Sequence, residues 1–131
     1  MDEENKGILV EMQMEKAHHF LQQADEMCAL RHWDMATNRY YYACYHAVQG
    51  LFIATNIPIA KKHASVVNLF SLHFVKKGIV EPTLGSFLAR MMQLRQKADY
   101  NCFYDIKEED LSDYIVLSKA LISKVEELIK K

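Results

Sequence analysis

The chain has 131 residues, half of them hydrophobic, and a formal net charge of −1. That is one domain's worth of chain, with enough apolar content to bury a core without needing a metal or a disulfide. With 16 Lys and Arg against 17 Asp and Glu, it has no broad basic surface for long nucleic acid, although a small local site for a nucleotide or RNA is still allowed.

Met1–Gly7 is acidic, lacks the apolar stretch of a signal peptide and is expected to fray. From Ile8 to Leu30, Val10, Met14, Ala17, Phe20, Leu21, Ala24, Met27 and Cys28 form one face of an amphipathic helix, with Glu11, Glu15, Lys16, Gln22 and Glu26 outside. The adjacent His18 and His19 point about a hundred degrees apart on that helix and make no metal pair. After a turn over Arg31–Asp34, with Asp34 the expected N-cap, comes the most apolar helix, Ala36–Ala54. One of its rows is Ala36, Tyr40, Ala43, Ala47, Gly50 or Leu51, and Ala54, and a second is Tyr41, Tyr45, Val48 and Phe52. A helix apolar on two sides sits among other helices, and its small residues let a neighbour come close. Between the two rows runs a polar one, Arg39, Tyr42, His46 and Gln49.

Pro58 breaks the chain after Asn56. A third helix is expected over Lys61–Lys77, with His63, Val66, Val67, Phe70 and Phe74 inward and Gly78 closing it. Pro82 suits the first turn of a fourth helix, lined by Leu84, Phe87, Leu88, Met91, Leu94 and Ala98 and ending near Asn101. Cys102–Lys107 is expected to be a loop. The last helix starts near Glu108, where three acidic residues suit the helix dipole, and its stripe is Leu111, Tyr114, Ile115, Leu121, Ile122, Val125, Leu128 and Ile129. The fold predicted is all-α: a single domain over 1–131, an up-and-down antiparallel helical bundle of four long helices with a shorter fifth between the second and fourth. The longest apolar runs are far too short for a membrane span. The unpaired Cys28, Cys44 and Cys102 read as reduced thiols of a cytoplasmic protein.

Chemistry has two places to sit. Arg95 lies at the margin of the fourth helix's apolar face, and Asp99 follows one turn later, so the two can pair. A carboxylate in the last turn meets the negative end of the dipole and calls for a partner, which Arg95, Arg39 or a backbone donor can supply. Spacing alone favours a structural brace over an active site. In the polar row, His46 can be a general base or can simply bond inside the bundle. Tyr40, Tyr41, Tyr42 and Tyr45 read as core residues whose hydroxyls reach polar groups at its edge, and His63, after Lys62, as a cover for the end of the core. No metal-ligand spacing, Gly-rich phosphate loop or nucleophile motif occurs, so no cofactor is expected.

NRYYYACYHAVQGLF, KKHASVVNLFSLHFVKKG and LRQKADY, in that order, resemble the HEPN domain superfamily, in particular its small stand-alone branch with an R-x3-D-Y ending. The likeness extends over Ile8 to Leu128. It implies a helical bundle that dimerises along the face carrying Arg95. Its functional implications are three: a metal-independent ribonuclease, a partner of a minimal nucleotidyltransferase in a toxin–antitoxin pair, or a non-catalytic binder of nucleotide or RNA. Arg95 matches the family's motif arginine. The motif histidine would fall at Tyr100, Asn101 or Cys102, and none is His. The tyrosine that follows that histidine in nucleotidyltransferase-paired toxins would fall at Cys102, with Tyr100 and Tyr104 nearby. The resemblance therefore points to a HEPN-type module that binds RNA or nucleotide phosphate alongside a nucleotidyltransferase. Arg95 and a substitute acid–base group, His46 or Tyr100, are the candidate catalytic residues. Arg39, Tyr42, Lys62, His63, Asp99 and Tyr100 are the candidate binding residues. An active ribonuclease and a purely structural helical module are the alternatives.

Overall fold

The computed structural model describes residues 2–58, 61–100 and 105–131. They form α1 (Glu3–Ala29), α2 (Trp33–Ala54), α3 (His63–Phe70), α4 (Pro82–Tyr100) and α5 (Glu108–Ile129), with no strand among the described residues. The all-α expectation holds, with four long helices and a short one between the second and fourth.

Several boundaries move, each for a local reason. α1 starts at Glu3, well before Ile8, because the Asp2 carboxylate accepts the Asn5 N–H at 2.8 Å and Glu3 and Glu4 occupy the first turn. The segment expected to fray is therefore capped helix from Asp2 onward. α2 starts at Trp33 with His32 at the cap, so Asp34 lies in the first turn and is not the N-cap. The third helix does not run on as α-helix to Lys77. It widens into a π-helical turn over Ser71–Val75, and Gly78 then takes the positive φ of 75° that reverses the chain. At the start of α5, the Asp110 carboxylate accepts the Lys107 N–H at 2.9 Å. The predicted Cys102–Lys107 loop lies in part outside the described residues.

α2 is the pillar, packed against α1, α3, α4 and α5. Its pairing with α1 is antiparallel: Tyr40 meets Asp25 and His46 meets Gln13. α1 and α5 are also antiparallel, since Lys119 pairs with Asp25 at 3.2 Å and Glu126 lies 3.1 Å from His18. Asp25 thus ties three helices, taking the Tyr40 hydroxyl proton at 2.6 Å as well as the lysine. Ala36, Tyr40, Ala43, Ala47 and Leu51 on one row and Tyr41, Val48 and Phe52 on the other are fully or almost fully buried, as a helix with two apolar sides must be.

The small residues of the first row set the α1–α2 approach. A Cβ on Gly50 would lie 3.2 Å from the Met14 sulfur and 3.3 Å from the Gln13 Cβ, whereas one on Gly7 would meet nothing within 4 Å. Gly50→Val should therefore destabilise the protein by about 1–3 kcal/mol through overpacking. Gly7→Ala, inside α1 and facing open space, should stabilise it by up to about 1 kcal/mol. Urea denaturation of the two variants checks both signs.

Candidate functional site

Arg95 continues the inward row Leu84–Leu88–Met91 of α4, and this is why the fold buries it to 7 % exposure. A guanidinium stays charged and needs compensation when buried. It finds some on the faces of Tyr41 and Tyr42, whose ring centres lie 5.1 and 5.7 Å from its central carbon. Asp99 Oδ2 accepts one Nη1 hydrogen at 3.0 Å. The Nε–H is buried with no partner among the described residues, which leaves one donor of a buried cation unfilled.

Tyr41 also holds His63. The tyrosine oxygen and His63 Nδ1 are 2.6 Å apart, and the histidine ring stands among Tyr41, Tyr42 and Tyr45, with the nearest centroid, that of Tyr45, at 4.8 Å. Tyr45 in turn accepts the Gln49 side-chain N–H at 3.1 Å. Burial, and then the positive charge of Arg95, hold His63 below the ordinary histidine value. Burial raises the Tyr41 hydroxyl far above its ordinary range, against the opposing pull of Arg95. The site therefore consists of a charged arginine, a neutral tyrosine and a histidine biased to the neutral form.

Of the sequence-predicted residues, the structure brings together Arg95, Asp99, Tyr42 and His63. Tyr41, which the sequence offered only as a core residue, links two of them. Its sequence signal was its place on the apolar row beside Tyr42. The other candidates lie elsewhere. His46 is turned to α1, with Nδ1 2.8 Å from Gln13 Oε1 and its ring stacked on Phe20 at 5.4 Å. Burial, and then Lys16, lower its pKa. Arg39 donates to Asn38 at 2.9 Å and lies over the same Phe20 ring at 5.4 Å. Arg39, Tyr42 and His46 of the polar row of α2 thus converge on Phe20, and Tyr42 touches both Phe20 and Arg95. Arg39 still shares a shallow depression of about 220 Å³ with Asp34, Met35, Asn38 and Asp99, so it stands near the outer side of the Arg95–Asp99 pair. Lys62 is exposed at the start of α3, and Tyr100 is 81 % exposed. Asn101, Cys102 and Tyr104 lie outside the described residues.

Among the described residues, no group of three or more His, Cys, Asp or Glu is placed to hold a metal ion, and no helix is long and apolar enough to cross a membrane. Cys44 is fully buried and its thiol is pushed up to about 12, which makes it a core residue and a poor nucleophile. What the Arg95 cluster can do is hold an anion: a desolvated guanidinium with an open donor is a phosphate or carboxylate receptor, and Asp99 is the chain's own occupant of one side of it.

A sequence model of the HEPN domain matches residues 10–128. A "UPF0332 protein" of Thermotoga maritima is 31% identical over 130 residues, covering 99% of this chain and 96% of the relative. In Methanocaldococcus jannaschii, "Putative toxin MJ0605" is 30% identical over 97% of this chain and 95% of its own length. "Putative toxin MJ0142" of the same organism is 28% identical over 82% of this chain and 71% of its own length.

The two histidines set a pH dependence. At neutral pH His46 and His63 are mostly uncharged in the unfolded chain and more fully so in the folded one. Below 6.5, their ordinary value, the unfolded chain takes up protons that the folded one resists, so stability falls as pH drops through that value. Denaturation midpoints should decline across that window, and the double variant His46→Gln, His63→Gln should decline less.

Proposed function

The chain belongs to the HEPN domain family, and from this we infer that the Arg95 cluster binds the phosphate of RNA or of a nucleotide. The protein acts in a toxin–antitoxin-like pair, with a minimal nucleotidyltransferase as its partner. The observation that carries the binding role is the buried guanidinium of Arg95, whose Nε–H has no partner among the described residues. A structural brace needs no spare donor, and a phosphate accepts two at once. The relatives whose names propose a toxin role support the paired context. A homodimer packed along the face that carries Arg95 belongs to the same reading.

Phosphate competes with Asp99 in this reading. Asp99 is partly exposed and can swing off Arg95 to admit the ligand, so its charge opposes binding.

A second function, metal-independent RNA cleavage, is favoured by one specific observation: a histidine stands beside Arg95 although the motif position lacks one. A purely structural module has the Arg95–Asp99 pair in its favour.

Fluorescence anisotropy with a labelled single-stranded RNA separates these. Arg95→Ala should abolish binding, and Asp99→Asn should tighten it by removing the competing carboxylate. If Arg95→Ala only lowers the melting temperature and the RNA affinity is unchanged, the brace is the whole role of the residue. Co-purification with a nucleotidyltransferase encoded beside the gene checks the partner, and a chain that stays alone in that experiment counts against the pairing.

A further inference from the structure

We propose that four half-buried rings beside Arg95, Phe20 of α1 with Tyr42, Tyr45 and His46 of α2, form a stacking strip for unpaired bases. The ligand of the site is then single-stranded nucleic acid, not free phosphate and not a duplex. The proposal deepens the reading that Arg95 holds a phosphate, and rests on it.

The aromatic residues divide by burial. Tyr40, Tyr41, Phe52, Phe70 and Phe87 are fully or almost fully buried, as core rings are. Phe20, Tyr42, Tyr45 and His46 stop at half-burial and touch one another. His46 lies parallel to Phe20, with 3° between the planes and 5.4 Å between centroids. Tyr42 is 6.1 Å from Phe20 and 6.0 Å from Tyr45, which stands edge-on to His46 at 5.4 Å. Single exposed rings are ordinary on a protein surface. Four rings in contact, each keeping part of itself at the surface, make a patch, and patches mark binding surfaces.

The charge around the strip selects the ligand. The Arg39 guanidinium lies over Phe20 at 5.4 Å and that of Arg95 over Tyr42 at 5.7 Å. Lys16 is exposed, and its charge acts on His46. One or two turns from Phe20 on the same side of α1 stand Gln13, Lys16 and Gln23, none of them acidic. Asp34 and Asp99 stand at the Arg39 end, and Asp99 is the group that phosphate displaces. Rings alone would suit an apolar peptide, and cations alone would suit any anion. Rings interleaved with cations suit a chain that alternates flat bases with phosphates. Tyr42 meets both Arg95 and Phe20, so a phosphate on Arg95 sets its own base against Tyr42 and directs the next toward Phe20 and His46. In a duplex the bases are stacked on each other and paired, and their faces are closed to such a strip.

The magnitudes make the bases matter. Phosphate contacts to a single strand carry a salt slope of about 0.7 each, so contacts to Arg39, Lys16 and Arg95 change affinity only about twentyfold between about 50 and 200 mM salt. One stacked base contributes a factor of about five to a hundred. Bases therefore supply as much of the binding as the backbone does, and with little sequence preference, since every base has a flat face.

The test uses the full chain and three ligands: a single-stranded 2′-O-methyl RNA, whose blocked 2′ oxygens keep it intact, the same strand with abasic sites in place of its bases, and its duplex. By fluorescence anisotropy the single strand should bind about fivefold to a hundredfold more tightly than the other two. A strand carrying 2-aminopurine should lose fluorescence on binding, as that base does when it stacks. Phe20→Leu and His46→Leu, each shown by circular dichroism to be folded, should weaken binding of the single strand and leave the abasic strand unchanged. Damage to packing alone would weaken both strands alike. Equal affinity of the wild type for the single and abasic strands, with 2-aminopurine unquenched, overturns the stacking strip and leaves phosphate binding standing. So does a duplex bound as tightly as the single strand, or a single strand bound equally well by wild type and both folded variants. Failure of the wild type to bind any of the three overturns both readings.

Discussion

A guanidinium that cannot lose its charge is buried at the meeting point of α2 and α4, and much of the molecule is arranged to make that tolerable. Two aromatic faces and one carboxylate compensate Arg95, and isolated burial of such a charge would cost several kcal/mol. The aromatic faces are available because α2 is apolar on two sides. Its alanine and glycine row lets α1 come close, with Met14 and Gln13 against Gly50, and this leaves the tyrosine row for the opposite neighbours. Among the described residues the compensation is incomplete at Nε, and a buried donor without a partner is a local inconsistency that calls for an explanation.

The site draws on three helices. α4 supplies Arg95 and Asp99, α2 the tyrosines, and α3 contributes His63 as its first residue. The position of α3 therefore matters to the chemistry. Its π-helical continuation lies against α4 where Gly85 leaves room: a Cβ there would sit 2.7 Å from Cγ2 of Val75. Arg95 stands on α4, and His63, whose ring packs on the same Tyr41 and Tyr42 rings, comes from α3.

Most of the fold was legible in the sequence because hydrophobic periodicity is a direct record of which face is buried. The rows of α2, the Pro82 start of α4 and the acidic start of α5 all stand where spacing put them. The boundaries that moved depend on single local bonds, such as Asp2 to Asn5, or on backbone geometry such as the widened turn after Phe70, which periodicity does not encode. The site was half legible. The four-residue spacing of Arg95 and Asp99 announced their pair. The polar row of α2 was misleading about His46, because a helix wheel shows which residues share a face but not what covers it, and Phe20 of α1 covers this one. The link from Tyr41 to His63 spans 22 residues, and no local pattern signals it.

The central claim is that the buried Arg95 guanidinium receives an anion. Nitrogen-15 NMR of the arginine side chains reads it directly, since the Nε–H of Arg95 has no partner among the described residues. On titration with the 2′-O-methyl RNA, the Arg95 Nε–H resonance should shift saturably and become protected from exchange with water. A resonance that stays in place while the RNA is in excess would contradict the account, and would leave Arg95 as a brace between α4 and α2.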